Sequence, residues 1–487
     1  MILCKKNLLY MLTENIPGRI SAYLQNIHYK TQYVVYTASV FFFTSLLPLC
    51  QSNHTENIEQ TIQFEENIKN GDFASFLSIA SKSPFYRSSR NELMYNLDAG
   101  LAEVFHGNHQ SGLKKLMKVG DISEKYYTKS ISTGVLSVLT NDLVLPYYGE
   151  DYEVTFAGNV AALAFAAQGK FDEALVEIRK SEHRLSVISD AYEGSDKYSD
   201  DGLAHYIAGM LYEITGNYND AAVSYKLARK TYGSRFFPMV PDGLAKALSR
   251  SEIAAGLSDI NPDSSSHHEN IPEKSTLLLV FAFTGRGPVK HETIVRAHFT
   301  NEGIDHIIKI ALPEIKKRES SICSVRLKMD NQIYYPEYTA DYSHIGTNTF
   351  NDKKALIYTK TLARVSARYL ILKAAKENTI KKLKEKYEKA KEKHGEDSTE
   401  ADTAWLRLKA ASFGLDMLAN ELLEHADTRG SLLLPGRVYS ARIPVREGIY
   451  TIIIEYLNTE GFVIGSEMRE IEANAQQGSV QIYTALY

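Results

Sequence analysis

The chain has 487 residues, 44% hydrophobic and 23% charged, which fits an ordinary globular protein of roughly two to four domains. A net charge of -4 excludes a global electrostatic pull on nucleic acid. The three scattered cysteines, Cys4, Cys50 and Cys323, exclude a disulfide framework and a cysteine-rich zinc site. We have no physical account of the 31 tyrosines against a single tryptophan, Trp405.

From Thr31 to Thr55 no residue carries a formal charge. The apolar centre, Val34 to Leu49, contains Val40-Phe41-Phe42-Phe43, and Lys30, Arg19, Lys6 and Lys5 lie upstream. This is the basic-then-apolar layout of a secretory signal. A membrane-spanning helix needs about 20 apolar residues, slightly more than this run offers. The run ends at Cys50 and a polar tether follows, which resembles a bacterial lipoprotein signal. The resemblance implies that Cys50 is acylated and becomes the mature N-terminus. Leu47 suits that pattern, whereas Leu49 stands where a small residue belongs and Pro48 is unusual. An uncleaved anchor and an ordinary cleaved signal are the alternatives. Residues 1 to about 24 read as an extension upstream of the signal, with Met11 or a later position as the start.

Two segments of the next region share one pattern, Gly-x-aromatic-x-x-Ala: "GKFDEA" from Gly169 and "GNYNDA" from Gly216. Apolar helical stretches flank both. Glycine lets a helix end in a left-handed turn, the aromatic packs across that turn, and alanine permits close helix crossing. Such a hairpin cannot bury its face alone, so copies must stack. The pattern resembles the tetratricopeptide repeat (TPR). Gly209, Tyr212, Gly216, Tyr218, Ala221, Tyr225 and Ala228 fall at its signature spacings, as do Ala162, Phe165, Gly169, Phe171, Ala174 and Ile178. Weaker copies surround Gly107, with Gly112 in the alanine position, and Gly71. The polar stretch "YEGSDKYSDD" is an insertion between the strong copies. The resemblance implies a concave groove lined by Phe156, Asn159 and Leu163 in one copy and by Leu203, Tyr206, Met210 and Glu213 in the next. Met94, Leu97, Leu101 and Val104 come from a weaker copy. This mostly apolar lining suits a protein segment or another part of the same chain.

A polar, proline-containing linker follows at 257–275; its His267-His268 pair reads as solvated. Strand patterns come next in "TLLLVFAF", "HETIVRAHF" and "DHIIKIAL". Between the first two, "TGRGPVK" resembles a phosphate loop only faintly. Pro288 removes a needed N–H, no helix follows, and the spacing misses the full motif, so it reads as a turn. From about 353 to 428 the pattern turns helical, with one seam at Ile380, Leu383, Tyr387 and Ala390. The second seam runs through Ala401, Trp405, Leu408, Ser412, Leu415, Ala419 and Leu422. Lysine and glutamate alternate along "IKKLKEKYEKAKEK", which reads as a solvated face rather than a basic surface. Strands resume in "GRVYSARIPV", "GIYTIIIEYL", "GFVIGSEMREIEA" and "SVQIYTALY".

The expectation is an α+β chain. Residues 1–50 are extension and signal, 51–60 tether, 61–256 a TPR-like α-solenoid, and 276–487 a β-rich domain with an inserted helical hairpin. This order resembles a family of uncharacterised bacterial lipoproteins with N-terminal TPRs. A Gly-x-x-Pro-x-Lys turn carries the likeness through Gly285, Pro288 and Lys290. An Asp-Thr-Arg-Ser-x-x-x-Leu-Pro segment carries it through Asp427, Thr428, Arg429, Ser431, Leu434 and Pro435, with Gly430 extra. The helix "ARVSARY" matches through Arg364 and Arg368. The resemblance covers about 60 to 487 and implies a membrane-anchored envelope lipoprotein, at the outer membrane on its periplasmic side. It implies a non-catalytic, protein-binding scaffold without cofactor or metal, with envelope proteins as partners. The alternatives are a structural component of an envelope or peptidoglycan-synthesis assembly and, behind it, an envelope hydrolase. No His-Glu-x-x-His or Gly-x-Ser-x-Gly motif occurs. Glu424, His425 and Asp427 are the one acid–base grouping, and an Asp427–Arg429 ion pair is the structural reading of it.

Overall fold

In the first half of the chain, glycine punctuates a run of helices: α1 (Phe73–Lys82), α2 (Glu92–Phe105), α3 (His109–Ser132), α4 (Asp151–Ala166), α5 (Phe171–Ala191), α6 (Gly202–Ile214), α7 (Tyr218–Thr231) and α8 (Leu244–Ala254). The computed structural model describes residues 60–132, 143, 145–191, 197–257, 275–301, 304–396, 398–420, 424–473 and 478–487. Cys50 and its signal, and the linker with His267-His268, lie outside the described residues. The turns α2–α3, α4–α5 and α6–α7 are built alike. Gly107, Gly169 and Gly216 sit at φ 89°, 74° and 76°. The next amide donates to the carbonyl five residues back: Asn108 to Glu103, Lys170 to Phe165 and Asn217 to Tyr212, at 2.8, 3.0 and 2.8 Å.

Alanine at the crossing positions is fully buried in Ala174 and Ala221. Gly112 departs from that rule because its helix approaches even closer: a Cβ there would lie 2.5 Å from Val104 Cγ2. Gly209 likewise admits the Tyr225 ring, 2.4 Å from where its Cβ would be. Asp201 caps α6, accepting from the Ala204 amide at 2.7 Å and from the Tyr198 hydroxyl at 2.7 Å.

His205 knits three of these helices together. Its Nε2 lies 2.7 Å from Asp200, whose other oxygen accepts from Thr231, and its Nδ1 lies 3.9 Å from Glu182. Burial opposes its charge, but Asp200 and Glu182 outweigh burial and lift its pKa to about 9. A raised folded-state pKa stabilises fully below the unfolded value, about 6.5, and is lost as pH rises through about 9. His205→Gln should therefore cost roughly 3 kcal/mol in denaturant titrations on the acid side of neutrality. That deficit should shrink in strongly alkaline buffer; a pH-independent deficit would refute the charged pairing.

The strands form three sheets. In one, β10 (Ser479–Ala485), β1 (Ser275–Thr284), β7 (Arg437–Arg446) and β6 (Glu337–Asp341) lie side by side, with β1 and β10 parallel. In another, the order is β5 (Gln332–Tyr334), β4 (Ser324–Met329), β8 (Gly448–Leu457) and β9 (Val463–Ala473). The third is a ribbon of β2 (Val289–Asn301) and β3 (Ile304–Lys316). The two larger sheets face each other across a core that includes Leu278, Val280, Leu327, Ile443, Ile454 and Tyr483.

Strand β1 is apolar without a break from Leu277 to Phe283 because it is covered on both faces. Leu278, Val280 and Ala282 enter the sandwich core, while Phe283, on the other face, meets Phe105 and Phe156 of the helices at 5.6 Å each. Helices and sandwich thereby share buried surface, and Asn67–Tyr487 is one compact unit. β4 to β6 are additions to the expected strands, although the alternation of Val325, Leu327 and Met329 in β4 is a period-2 signal.

The helical hairpin is longer than expected. α9 spans Tyr342–His394, starting ahead of residue 353 because Asp341 caps it through the His344 amide at 2.8 Å. α10 spans Thr399–Asn420, and 424–436 is neither helix nor strand, so the expected helical stretch to 428 stops short. Trp405 is 44% exposed, whereas Ala401 and Ala411 are buried. The seam of α10 therefore runs through Ala401, Ala404, Leu408 and Ala411, and Trp405 lies beside it rather than in it. No described helix is long and apolar enough to cross a membrane.

Candidate functional site

The two motifs that are far apart in sequence, Gly285 to Lys290 and Asp427 to Pro435, meet at one place. Gly285 turns the chain out of β1 at φ 58°, and its amide donates to the Ala485 carbonyl at 2.8 Å. The Gly287 amide donates to Leu434 O at 2.7 Å, and Arg318 Nε donates to Gly287 O at 2.6 Å. Pro288 lies against Gly346 of α9, where a Cβ would be 2.8 Å from its ring. Pro435 is buried. The turn is thus a connector between two sheets, held by backbone contacts on both sides.

The 427–436 segment crosses the helices and is gripped by side chains from α2 and α4. Asp98, fully buried on α2, accepts from Ser431 Oγ at 2.6 Å and from the Leu432 and Leu433 amides at 3.1 and 3.4 Å. Its other oxygen accepts from Tyr86 at 2.6 Å. Burial raises the Asp98 pKa against the pull of these four donors. Glu153 of α4 accepts from the Ser431 amide at 2.8 Å and from the Tyr147 hydroxyl at 2.5 Å. Burial and the neighbouring Glu150 charge raise its pKa.

Glu150 is the electrostatic centre. Lys290 and Lys353 each donate to it at 3.0 Å, one from the turn and one from α9. Burial works against its charge, but the two ammonium groups outweigh burial and hold its carboxyl well below the usual range. The Lys290 pKa is raised, because Glu150, Asp427 and Glu153 together overcome its own burial. Arg429 binds Asp427 through two nitrogens at 2.9 and 2.7 Å and reaches the Leu145 carbonyl at 2.9 Å and Asn91 at 3.4 Å. Its guanidinium stands 5.4 Å over the Tyr147 ring.

Among the motif residues, Gly285, Pro288, Lys290, Asp427, Arg429 and Pro435 are brought together, and Thr428 is exposed. The grouping Glu424, His425 and Asp427 is dispersed. Glu424 is fully buried between Arg364 at 2.9 Å and Arg368 at 2.7 Å, His425 lies 3.6 Å from Glu292, and Asp427 faces Arg429. The Ala-Arg helix therefore clamps the far end of the same segment.

The expected groove positions are all buried: Phe156, Asn159, Leu163, Leu203, Tyr206, Met210 and Glu213. Phe156, Tyr206 and Glu213 are met by later parts of the same chain. Phe156 packs on Phe283 and on Tyr342, 4.8 Å away. Tyr206 donates to Glu337 at 3.1 Å, and Glu213 binds Arg250 at 2.8 Å and Arg442 of β7 at 2.9 Å. A pocket of about 160 Å³ remains beside Tyr206 and Met210, lined by Arg250, Glu337, Ser440 and Arg442.

Sequence reasoning missed Asp98, Glu150, Glu153 and Lys353. Two signals were present. Glu150-x-x-Glu153 forms a capping box at the start of α4, and Asp98 interrupts the apolar face of α2. Among the described residues no group of histidine, cysteine, aspartate and glutamate is placed to hold a metal ion. Comparison with known proteins returns no match: no family model fits the chain, and no curated protein and no solved structure is significantly similar to it.

Proposed function

We propose that this chain is a membrane-anchored envelope lipoprotein whose TPR-like array is a non-catalytic scaffold, turned inward to hold its own β-sandwich. One observation carries the scaffold reading. The charged groups where the two motifs meet serve contacts between layers: Glu150 to Lys290 and Lys353, Asp98 and Glu153 to the 431–433 backbone, and Arg429 to Leu145. A general acid or base needs a group within reach of substrate, and these groups are taken up by the fold. The repeated left-handed glycine turns and buried crossing alanines favour TPR-like stacking.

Because the concave face is filled from within, envelope partners meet the outer surfaces. Ile449, Phe462 and Met468 are 70%, 65% and 69% exposed on or beside β8 and β9, which favours the second reading, a component of an envelope assembly. The outer membrane, on its periplasmic side, is the location that goes with either reading. Anchoring rests on Cys50, since stable attachment needs more than one acyl chain and a lipoprotein cysteine carries several. Fatty-acid labelling should mark the wild type and leave Cys50→Ala unmarked. Equal label in both would end the lipoprotein reading.

A further inference from the structure

The pocket beside Tyr206 and Met210 lies where α6, α7 and α8 meet β6 and β7. Sheet register lays out its floor. Glu337 of β6 stands directly opposite Ser440 of β7, and Arg442 follows two residues along, on the same face. Opposed side chains start about 5 Å apart and diagonal ones about 7–8 Å apart, so a carboxylate, a hydroxyl and a guanidinium come in that order within one short span. Ser440 is 1% exposed, and its hydroxyl finds no hydrogen-bond partner among the described residues. A buried hydroxyl without a partner destabilises the fold until water or a ligand pairs with it.

The two ends of this row differ in sign. At one end, Arg442 and Arg250 of α8 share Glu213. Burial opposes the Glu213 charge, but the two guanidinium groups outweigh burial and lower its pKa. At the other end, the donors to Glu337 are uncharged, the Tyr206 hydroxyl and the Gly243 amide. Burial raises the Glu337 pKa against these two hydrogen bonds, and the Asp242 charge adds to the rise. Asp242 and Lys246, of opposite sign, are both exposed at the mouth. Taken together, Arg250, Arg442 and Lys246 balance Glu213, Glu337 and Asp242, so the pocket as a whole selects neither a cation nor an anion.

We propose that this pocket binds a small zwitterion, a free α-amino acid, with its carboxylate on the Arg442 side and its ammonium on the Glu337 side. The volume of about 160 Å³ is close to the ~150 Å³ of a cavity that holds benzene, so about six non-hydrogen atoms fit, the size of alanine. An α-amino acid carries both charges on one carbon, which suits poles separated by a single hydroxyl. A peptide moves the charges apart, and a simple acid or amine lacks one of them. The Ser440 hydroxyl is placed to donate to the carboxylate, a charge-assisted hydrogen bond. Met210 and Ala247 supply an apolar wall for a short side chain. The inference does not depend on how the chain is anchored.

The test is equilibrium dialysis of the full chain against radiolabelled L-alanine. Binding should saturate with a dissociation constant of roughly 1 mM or below. Propionate, ethylamine and alanyl-alanine should each compete at least about tenfold more weakly than alanine itself. Ser440→Ala removes a hydroxyl that has no partner among the described residues, so the melting temperature should hold while alanine affinity falls roughly tenfold. Glu337→Gln keeps an acceptor for Tyr206 and removes only the charge. It should weaken alanine about tenfold or more and erase the preference for alanine over propionate, which a merely structural role would not do. The proposal is overturned if no saturable uptake appears up to about 10 mM alanine. It is equally overturned if propionate or alanyl-alanine competes as well as alanine, or if either variant, folded, binds alanine like the wild type.

Discussion

With Tyr206 and Met210 both replaced by alanine, the protein should lose most of its folded population in the absence of denaturant. Both side chains are almost fully buried. Tyr206 packs against Tyr225 and Tyr232, at 5.8 and 6.3 Å between ring centres, and its hydroxyl donates to Glu337 of β6. An aromatic-to-alanine change in a core costs about 3–5 kcal/mol and a methionine-to-alanine change about 2–5 kcal/mol. Even with partial non-additivity between such neighbours, the sum approaches the ~5–15 kcal/mol by which a native protein is stable. Circular dichroism and urea titration measure it. A double variant that stays folded but no longer retains a partner would mean that the concave face is an open binding groove.

Arg429→Ala should cost about 3–5 kcal/mol, because it leaves Asp427 without its bidentate partner and the Leu145 carbonyl without its donor in a buried setting. Arg429→Lys should recover little, since an ammonium cannot hold both carboxylate oxygens and the carbonyl in one plane. Asp98 belongs to the same seam, so losses from Arg429→Ala and Asp98→Ala should fall short of their sum. If Arg429→Ala leaves the urea midpoint unchanged and abolishes a cellular phenotype, Arg429 acts on something outside the fold.

Local signals in the sequence determined a good deal of this protein. The period-2 strands and the Gly-x-aromatic-x-x-Ala turns are short-range patterns that appear where their residues indicate, and the long hairpin is there too, although its second seam bypasses Trp405. The resemblance to a family's motifs also marked out Lys290, Asp427 and Arg429, although not what they touch. Tertiary structure alone decided the rest. Strand β4 carries a strict alternation, Val325, Leu327 and Met329 inward, that sequence reading passed over, whereas β5 and β6, three and five residues long, are too short to stand apart from loops and exist because β4 and β7 pair with them. A groove and a core present the same apolar positions to a sequence reader; only the approach of Phe283, Tyr342 and Arg442 from beyond residue 280 shows that this one is filled. The capping box of Glu150 and Glu153 and the apolar face around Asp98 are local signals, but they do not show the role of these residues, because a buried carboxylate is recognised by its donors. Tyr86 and Tyr147 are near in sequence, but the donors that tie these carboxylates to the motif segments, Lys290 and Ser431 to Leu433, sit between 140 and 335 residues away.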